Sequence, residues 1–214
     1  MSVILDEFKL SYIPVPKIAC TSLKTMFFEV ENGFPFKPFR ASGYPWWIHR
    51  FYESVPFEKL AHARMAGHRR IAVLRDPIRR LLSCYGNRVV HHRELSKGKA
   101  RKPLKRAGLP FNPDLPTFIA HLAAYCEAVP SIHHHAMPMV TYLGRDPSYF
   151  ARLYAMAQLD ELVSNLSDLA GHRLALQKLQ TGGPRIEPDS LSAQERAQLE
   201  AFYAEDYAIY GRYL

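Results

Sequence analysis

The chain has 214 residues, 48% of them apolar and 22% charged, which excludes global disorder and favours one α/β or α+β domain over residues 1–214 with a single core. A formal charge of +8 points to polyanionic partners such as nucleotides, sulfated or phosphorylated sugars, nucleic acid or an acidic membrane face. Cys20, Cys84 and Cys126 are odd in number, far apart and without a C-x-x-C pair, which speaks against a disulfide framework or zinc ribbon and fits a reducing, cytoplasmic setting.

The first ten residues, MSVILDEFKL, place Asp6 and Glu7 where a signal peptide needs a basic start and an unbroken apolar run. No stretch reaches the roughly 18 apolar residues of a transmembrane helix. FKLSYIPV, Phe8 to Val15, alternates in part and ends at Pro16, which predicts a first strand. Thr21 or Ser22 is a suitable N-cap for a helix carrying Leu23, Met26, Phe27 and Val30 on one face, stopped at Asn32-Gly33.

Gly33 to Trp47 is aromatic and rich in proline and glycine, a loop whose large side chains either line a pocket or cover the core edge. RRIAVLRD, Arg69 to Asp76, has the apolar run of a buried central strand. Pro77 then sits at a helix N1 position, with Ile78, Leu81, Leu82, Tyr85 and Val89 on one face. Arg88 to Arg106 holds eight Lys/Arg residues against one Glu, either a solvated mobile segment or a lid facing the substrate.

Leu115 to Ala128 reads as helix and Ser131 to Met139 as irregular chain. LYAMAQLDELVSNLSDLAG predicts a strand giving way to a helix capped by Gly171. After TGGPR, a last helix starts at Ser192 with Glu195 completing a capping box. No internal repeat is visible.

Two strand-to-helix junctions therefore stand out. A helix N-terminus offers N–H donors and about half a positive charge, and Lys17, Thr21, Ser22 and Lys24 complete an anion cradle there. The Walker A spacing is absent, since no glycine lies between Pro16 and Lys24. At the second junction Arg75 ends a strand and Ser83 lies about two helical turns on, so an arginine fork and a hydroxyl can serve one phosphate. Arg80, three residues before Ser83, shares its face or supports it.

PKIACTSLK resembles the 5′-phosphosulfate loop of sulfotransferases that use 3′-phosphoadenosine-5′-phosphosulfate (PAPS), and RDPIRRLLSCY resembles their R-D-P-x-x-R-x-x-S-x-Y motif for the 3′-phosphate. The match is carried by the first 90 residues. IHHHAMP, YAMAQLDELVSNLSDL and FYAEDYAIYGRYL resemble later segments of the carbohydrate-type branch. The resemblance implies a P-loop-like α/β fold with a central parallel sheet flanked by helices, PAPS as donor and PAP as product, and no metal. It makes Lys17 the cation meeting the sulfuryl group and the leaving oxygen. Thr21, Ser22, Leu23 and Lys24 would wrap the 5′-phosphosulfate chiefly through backbone N–H groups, with Cys20 a small filler among them. Arg75 and Ser83 would grip the 3′-phosphate.

Sulfuryl transfer, like phosphoryl transfer, needs positioning and charge stabilisation as the acceptor attacks in line. The acceptor must also lose a proton. In the glycan-modifying enzymes that the chain resembles, this base often comes from between the two junctions, which implies His49, His62, His68, Glu29 and Glu31 as candidates. His49 comes first, because it follows the aromatic loop and is similar to a histidine of the uronyl 2-O-type enzymes. His133 to His135 are adjacent on predicted irregular chain without a metal-ligand partner motif, and read as acceptor-site or structural residues.

Two other classes remain. An atypical nucleotide or small-molecule kinase would need a Mg²⁺-binding carboxylate, and Asp76 is better suited to capping the Pro77 helix. A non-enzymatic nucleic-acid binder would use the 88–106 segment but leave both motifs unexplained. The expected acceptor is a small molecule or glycan, with a carbohydrate or glycolipid favoured.

Overall fold

The structure, a computed structural model, describes residues 2–177, 179 and 182–214. In chain order its strands are β1 (Val3–Leu5), β2 (Leu10–Tyr12), β3 (Phe39–Ala41), β4 (Tyr44–Trp46), β5 (Arg69–Leu74) and β6 (Arg152–Ala155). The helices are α1 (Cys20–Asn32), α2 (Ile48–Phe51), α3 (Pro77–Cys84), α4 (Lys97–Ala107), α5 (Leu115–Ala120), α6 (Leu122–Ala128), α7 (Pro130–Ala136), α8 (Val140–Leu143), α9 (Leu159–Ala170), α10 (Ala193–Phe202) and α11 (Ala204–Tyr210). The fold class is mixed α/β with a central, mostly parallel sheet flanked by helices. The chain forms two compact units, each assembled from separated segments.

The first unit comprises Met1–Arg75, Met139–Gln180 and Arg212–Leu214. Its main sheet has the order β1-β2-β5-β6, with β1 antiparallel to β2 and the remaining pairs parallel. Val73 and Leu74 are buried, as a strand covered on both faces requires. Helix α1 packs on β1 and against α9, which itself covers β6. The Tyr12 and Phe27 rings stack at 4.8 Å between centroids, fixing α1 above β2.

The second unit, Asp76–Pro138 and Thr181–Gly211, is helical in its described residues. Leu81, Cys84, Phe118, Tyr125, Ile132 and Tyr203 form its core. Asp76 caps α3 by accepting from the Arg79 N–H at 2.8 Å, with Pro77 at the first helical position as expected. Helix α3 runs into a π-helical segment, Tyr85–His91. Ser192 and Glu195 form the expected capping box on α10, and in the first unit Gly171 ends α9 in a left-handed turn.

Several expectations are corrected. The first strand is shorter than Phe8–Val15 and is preceded by β1, because Lys9 takes a left-handed turn (φ 48°) that folds the N-terminus into a hairpin. The aromatic loop contains the β3–β4 hairpin, turned at Ser42-Gly43, both with positive φ. Neither Thr21 nor Ser22 caps α1: its N-cap is Ala19, left-handed at φ 46°, with no side-chain cap bond. The basic 88–106 stretch is largely helical, because Leu95, Ala100 and Leu104 are buried and hold it down, while the Lys/Arg residues of α4 face outward and Arg88 pairs with Glu94 at 3.2 Å. Ser131–Met139 begins as helix α7, which buries Ile132 and Ala136.

Candidate functional site

Strands β2 and β5 lie side by side and parallel, so the two junctions leave the same end of the sheet as neighbours. After β2 the chain runs through buried Ile13 and Val15 to Lys17, which is half-buried and left-handed at φ 67°. Ala19 is left-handed as well. Non-glycine residues adopt this state at a cost of about 1–2 kcal/mol, and alternating backbone hands form anion-holding concavities. Helix α1 then begins with no acidic residue in its first turn, so nothing there offsets the positive end of its dipole.

The first turn defines the width of this cradle. The Leu23 N–H donates to the Ala19 carbonyl at 2.9 Å, so the N–H groups ahead of the helical ladder are those of Cys20, Thr21 and Ser22. Leu23 is a core residue, fully buried. The Ser22 hydroxyl accepts from the Leu179 N–H at 3.2 Å, tying the helix start to the chain beyond α9. Arg75, at the end of β5, donates through Nη1 to the Lys17 carbonyl at 2.9 Å. One residue of the second motif thus fixes the backbone of the first.

Lys24 is fully buried and turns inward, with Nζ 3.1 Å from His49 Nδ1 and donating to Ser54 Oγ at 3.0 Å. Burial lowers its pKa to about 8, against upward pulls from Cys20 and Glu53. On its other side the imidazole meets the loop, with His49 Nε2 2.8 Å from Thr21 Oγ1. His49 rides on the short helix α2, half-buried, its ring 5.0 Å from that of Trp47. Trp47 is 45% exposed and, with Phe34, Phe39 and Tyr44, gives this part of the unit an open aromatic surface.

Among the base candidates, His49 alone has a described contact with the cradle. His68 is buried against Ser11 Oγ at 2.9 Å, and His62 bridges the Tyr149 hydroxyl and the Phe57 carbonyl. Glu31 accepts from the Tyr52 hydroxyl, and Glu29 lies 3.7 Å from His172. The Lys24–His49 and Ser54 contacts were not legible as a pattern, since 25 and 30 residues separate the partners.

In the second unit, Ser83 is half-buried in the last turn of α3. Arg80 is fully buried and donates to the carbonyls of His135, Ala136 and Met137 at the end of α7, over the Tyr203 ring. It supports the fold from inside. Asp76 also accepts from the Tyr207 hydroxyl at 2.9 Å, so both its oxygens have protein partners, unlike a carboxylate set aside for Mg²⁺. His135 Nδ1 lies 2.7 Å from the Ser131 carbonyl one turn back.

The sequence model of the sulfotransferase family matches residues 1–213. No curated protein and no solved structure matches the chain. No helix among the described residues is long and apolar enough to cross a membrane.

Proposed function

The chain belongs to the sulfotransferase family, and on that premise we propose that it transfers the sulfuryl group of PAPS to a hydroxyl or amine of a carbohydrate or glycolipid acceptor, releasing PAP. The observation that carries this reading is the bond from Arg75 to the Lys17 carbonyl. It ties the residue suited to a 3′-phosphate to the residue suited to a 5′-phosphosulfate, at the ends of adjacent parallel strands.

The residues fit such a donor. The uncapped start of α1, the left-handed turns at Lys17 and Ala19, and the half-exposed side chains of Lys17 and Arg75 make a cationic recess without a carboxylate in the first turn. Bound PAPS supplies an activated sulfuryl group on a phosphate leaving group. Lys17 neutralises charge growing on the leaving oxygen. The N–H groups of Cys20, Thr21 and Ser22 hold the 5′ end, and Arg75 takes the 3′-phosphate. His49 accepts the acceptor's proton. Trp47 and the neighbouring exposed rings suit stacking on a sugar ring.

The test is a PAPS-dependent assay across glycan, lipid and phenolic acceptors with Lys17→Ala and Arg75→Ala. Each variant is expected to lose at least about 100-fold in kcat/KM, the scale of one lost charge-stabilising group. PAP is expected to raise the Tm more than AMP, since the extra phosphate gains Arg75. Undiminished turnover in both variants rejects the assignment.

A further inference from the structure

This inference rests on the sulfuryl-transfer reading and concerns how its base is made ready. Both ring nitrogens of His49 have partners, Thr21 Oγ1 at Nε2 and Lys24 Nζ at Nδ1. A neutral imidazole carries one N–H and one lone pair, so whichever partner must donate sets the tautomer. An ammonium has donors only. While Lys24 is charged, Nδ1 must be the lone pair and Nε2 must carry the hydrogen, which it donates to Thr21. His49 then turns an N–H, rather than a base, toward the cradle.

A neutral Lys24 reverses this. Its amine has a lone pair to accept from an Nδ1–H, and Nε2 becomes the acceptor on the side of Thr21 and the donor loop. We propose that Lys24 is a positioning residue that arms His49, one proton lost from the pair switching the imidazole tautomer and turning Nε2 into the base. In the switch, Lys24 passes a proton along its existing bond to Nδ1 and Nε2 releases its own to water. In the transfer, the acceptor O–H bond breaks and its proton goes to Nε2. Nδ1 returns its proton to the Lys24 amine, the acceptor oxygen bonds to sulfur, and the S–O electron pair leaves with the phosphate.

The surroundings suit such a switch. Lys24 is fully buried in the second turn of α1, where an ammonium is costly without full compensation. The groups bearing on it are His49 on α2, Ser54 just beyond it, Glu53 on the same segment and Cys20 on its own helix. Ser54 accepts from the ammonium and can equally pair with the amine, so both states keep that contact. With a pKa lowered to about 8 by burial, the change falls within an accessible pH range.

The first measurement needs no variant of Lys24. Long-range ¹⁵N correlation of the histidine rings from pH 6 to 10, with the His49 signals among the ten histidines identified by their loss in His49→Gln, reads the tautomer directly. The expected result is Nε2–H at pH 6.5 changing to Nδ1–H with a midpoint near 8; a tautomer constant from pH 6 to 10 overturns the proposal. Lys24→Arg, whose charge cannot be removed, is expected to hold Nε2–H throughout and to lower kcat/KM at least tenfold at pH 9. In Lys24→Met the rise of kcat/KM with pH is expected to move from about 8 to the ordinary imidazole range near 6.5. A tautomer that switches in a protein inactive with PAPS and every acceptor rejects the transfer reading and keeps the switch. Turnover with an unswitching tautomer does the reverse.

Discussion

Arg75 and Arg80 sit five residues apart in one motif, and their surroundings assign them opposite uses. Arg75 is half-buried at the end of β5, where its Nη1 donates to the Lys17 carbonyl and its guanidinium reaches the loop ahead of α1. Arg80 is sealed inside the second unit, where it satisfies carbonyls at the end of α7 that have no helical N–H of their own. Arg80→Met is therefore expected to cost about 3 kcal/mol, since buried acceptors lose a charged donor, and to lower Tm by roughly 6–12 °C. Arg75→Ala is expected to cost about 1 kcal/mol of stability but to weaken PAP binding at least tenfold. Denaturant unfolding and calorimetric titration on the two variants separate these outcomes. The sequence displayed Arg75 at a strand's end and Arg80 one helical turn before Ser83, but not that Arg80 is sealed inside, because that depends on α7, more than fifty residues away. Lys24 is similar: its place beside Thr21 and Ser22 suggested a phosphate ligand, and only the packing of α2 reveals its inward turn.

At the scale of elements, what was legible follows from how much local chemistry each one carries. The Pro77 and Ser192 starts and the Gly171 stop were readable because their caps are contained within a few residues. Helix α7 was not, since seven residues with three histidines give too few apolar positions to reveal a period. Strand β1 has three residues, below the length at which alternation registers. The π-helical segment Tyr85–His91 was also hidden, because its apolar spacing continues that of α3. It contacts the TGGPR stretch, whose Thr181 lies outside the described residues. A Cβ on Gly86 would fall 2.5 Å from the Pro184 carbonyl oxygen, and one on Gly183 (φ 102°) 2.2 Å from that of Gly86. Asn87 donates to the Gly182 carbonyl at 3.1 Å in the same contact. Gly183→Ala meets both backbone clash and a disfavoured φ, so it is expected to destabilise by about 3 kcal/mol, and Gly86→Ala by about 2 kcal/mol. Hydrogen exchange should show faster amide exchange across 85–91 in both variants, with the β5 amides unchanged when exchange is local.

For the whole molecule, burial and charge predict a stability curve with three limbs. Exposed carboxylates form the acid limb: the Arg64 bond lowers Asp6, the Thr117 cap bonds lower Asp114, and Arg185 and Arg79 lower Glu187. Groups depressed in the folded state contribute stability above their unfolded values near pH 4, and lose it as pH falls through the folded ones. Lys24 gives the middle limb. Its folded pKa is about 8 against about 10.4 unfolded, so between these values the unfolded chain holds a proton that the folded chain has released, and stability rises with pH. The gain is about 2.5 kcal/mol by pH 10. Tyr12 and Tyr203, fully buried and raised by that burial, act in the opposite sense: above pH 10 the unfolded chain gives up phenolic protons that the folded chain keeps, and stability falls. Maximum stability is therefore expected between pH 9 and 10. Falling net charge also favours compactness as pH rises from a formal +8, but it does so in any variant, so the difference between the native protein and Lys24→Met isolates one side chain. Guanidinium unfolding from pH 5 to 11 should show the native curve climbing between 8 and 10 relative to the variant. Parallel curves over that interval would mean that Lys24 keeps its proton in the folded chain, and that His49 is made basic by some other group.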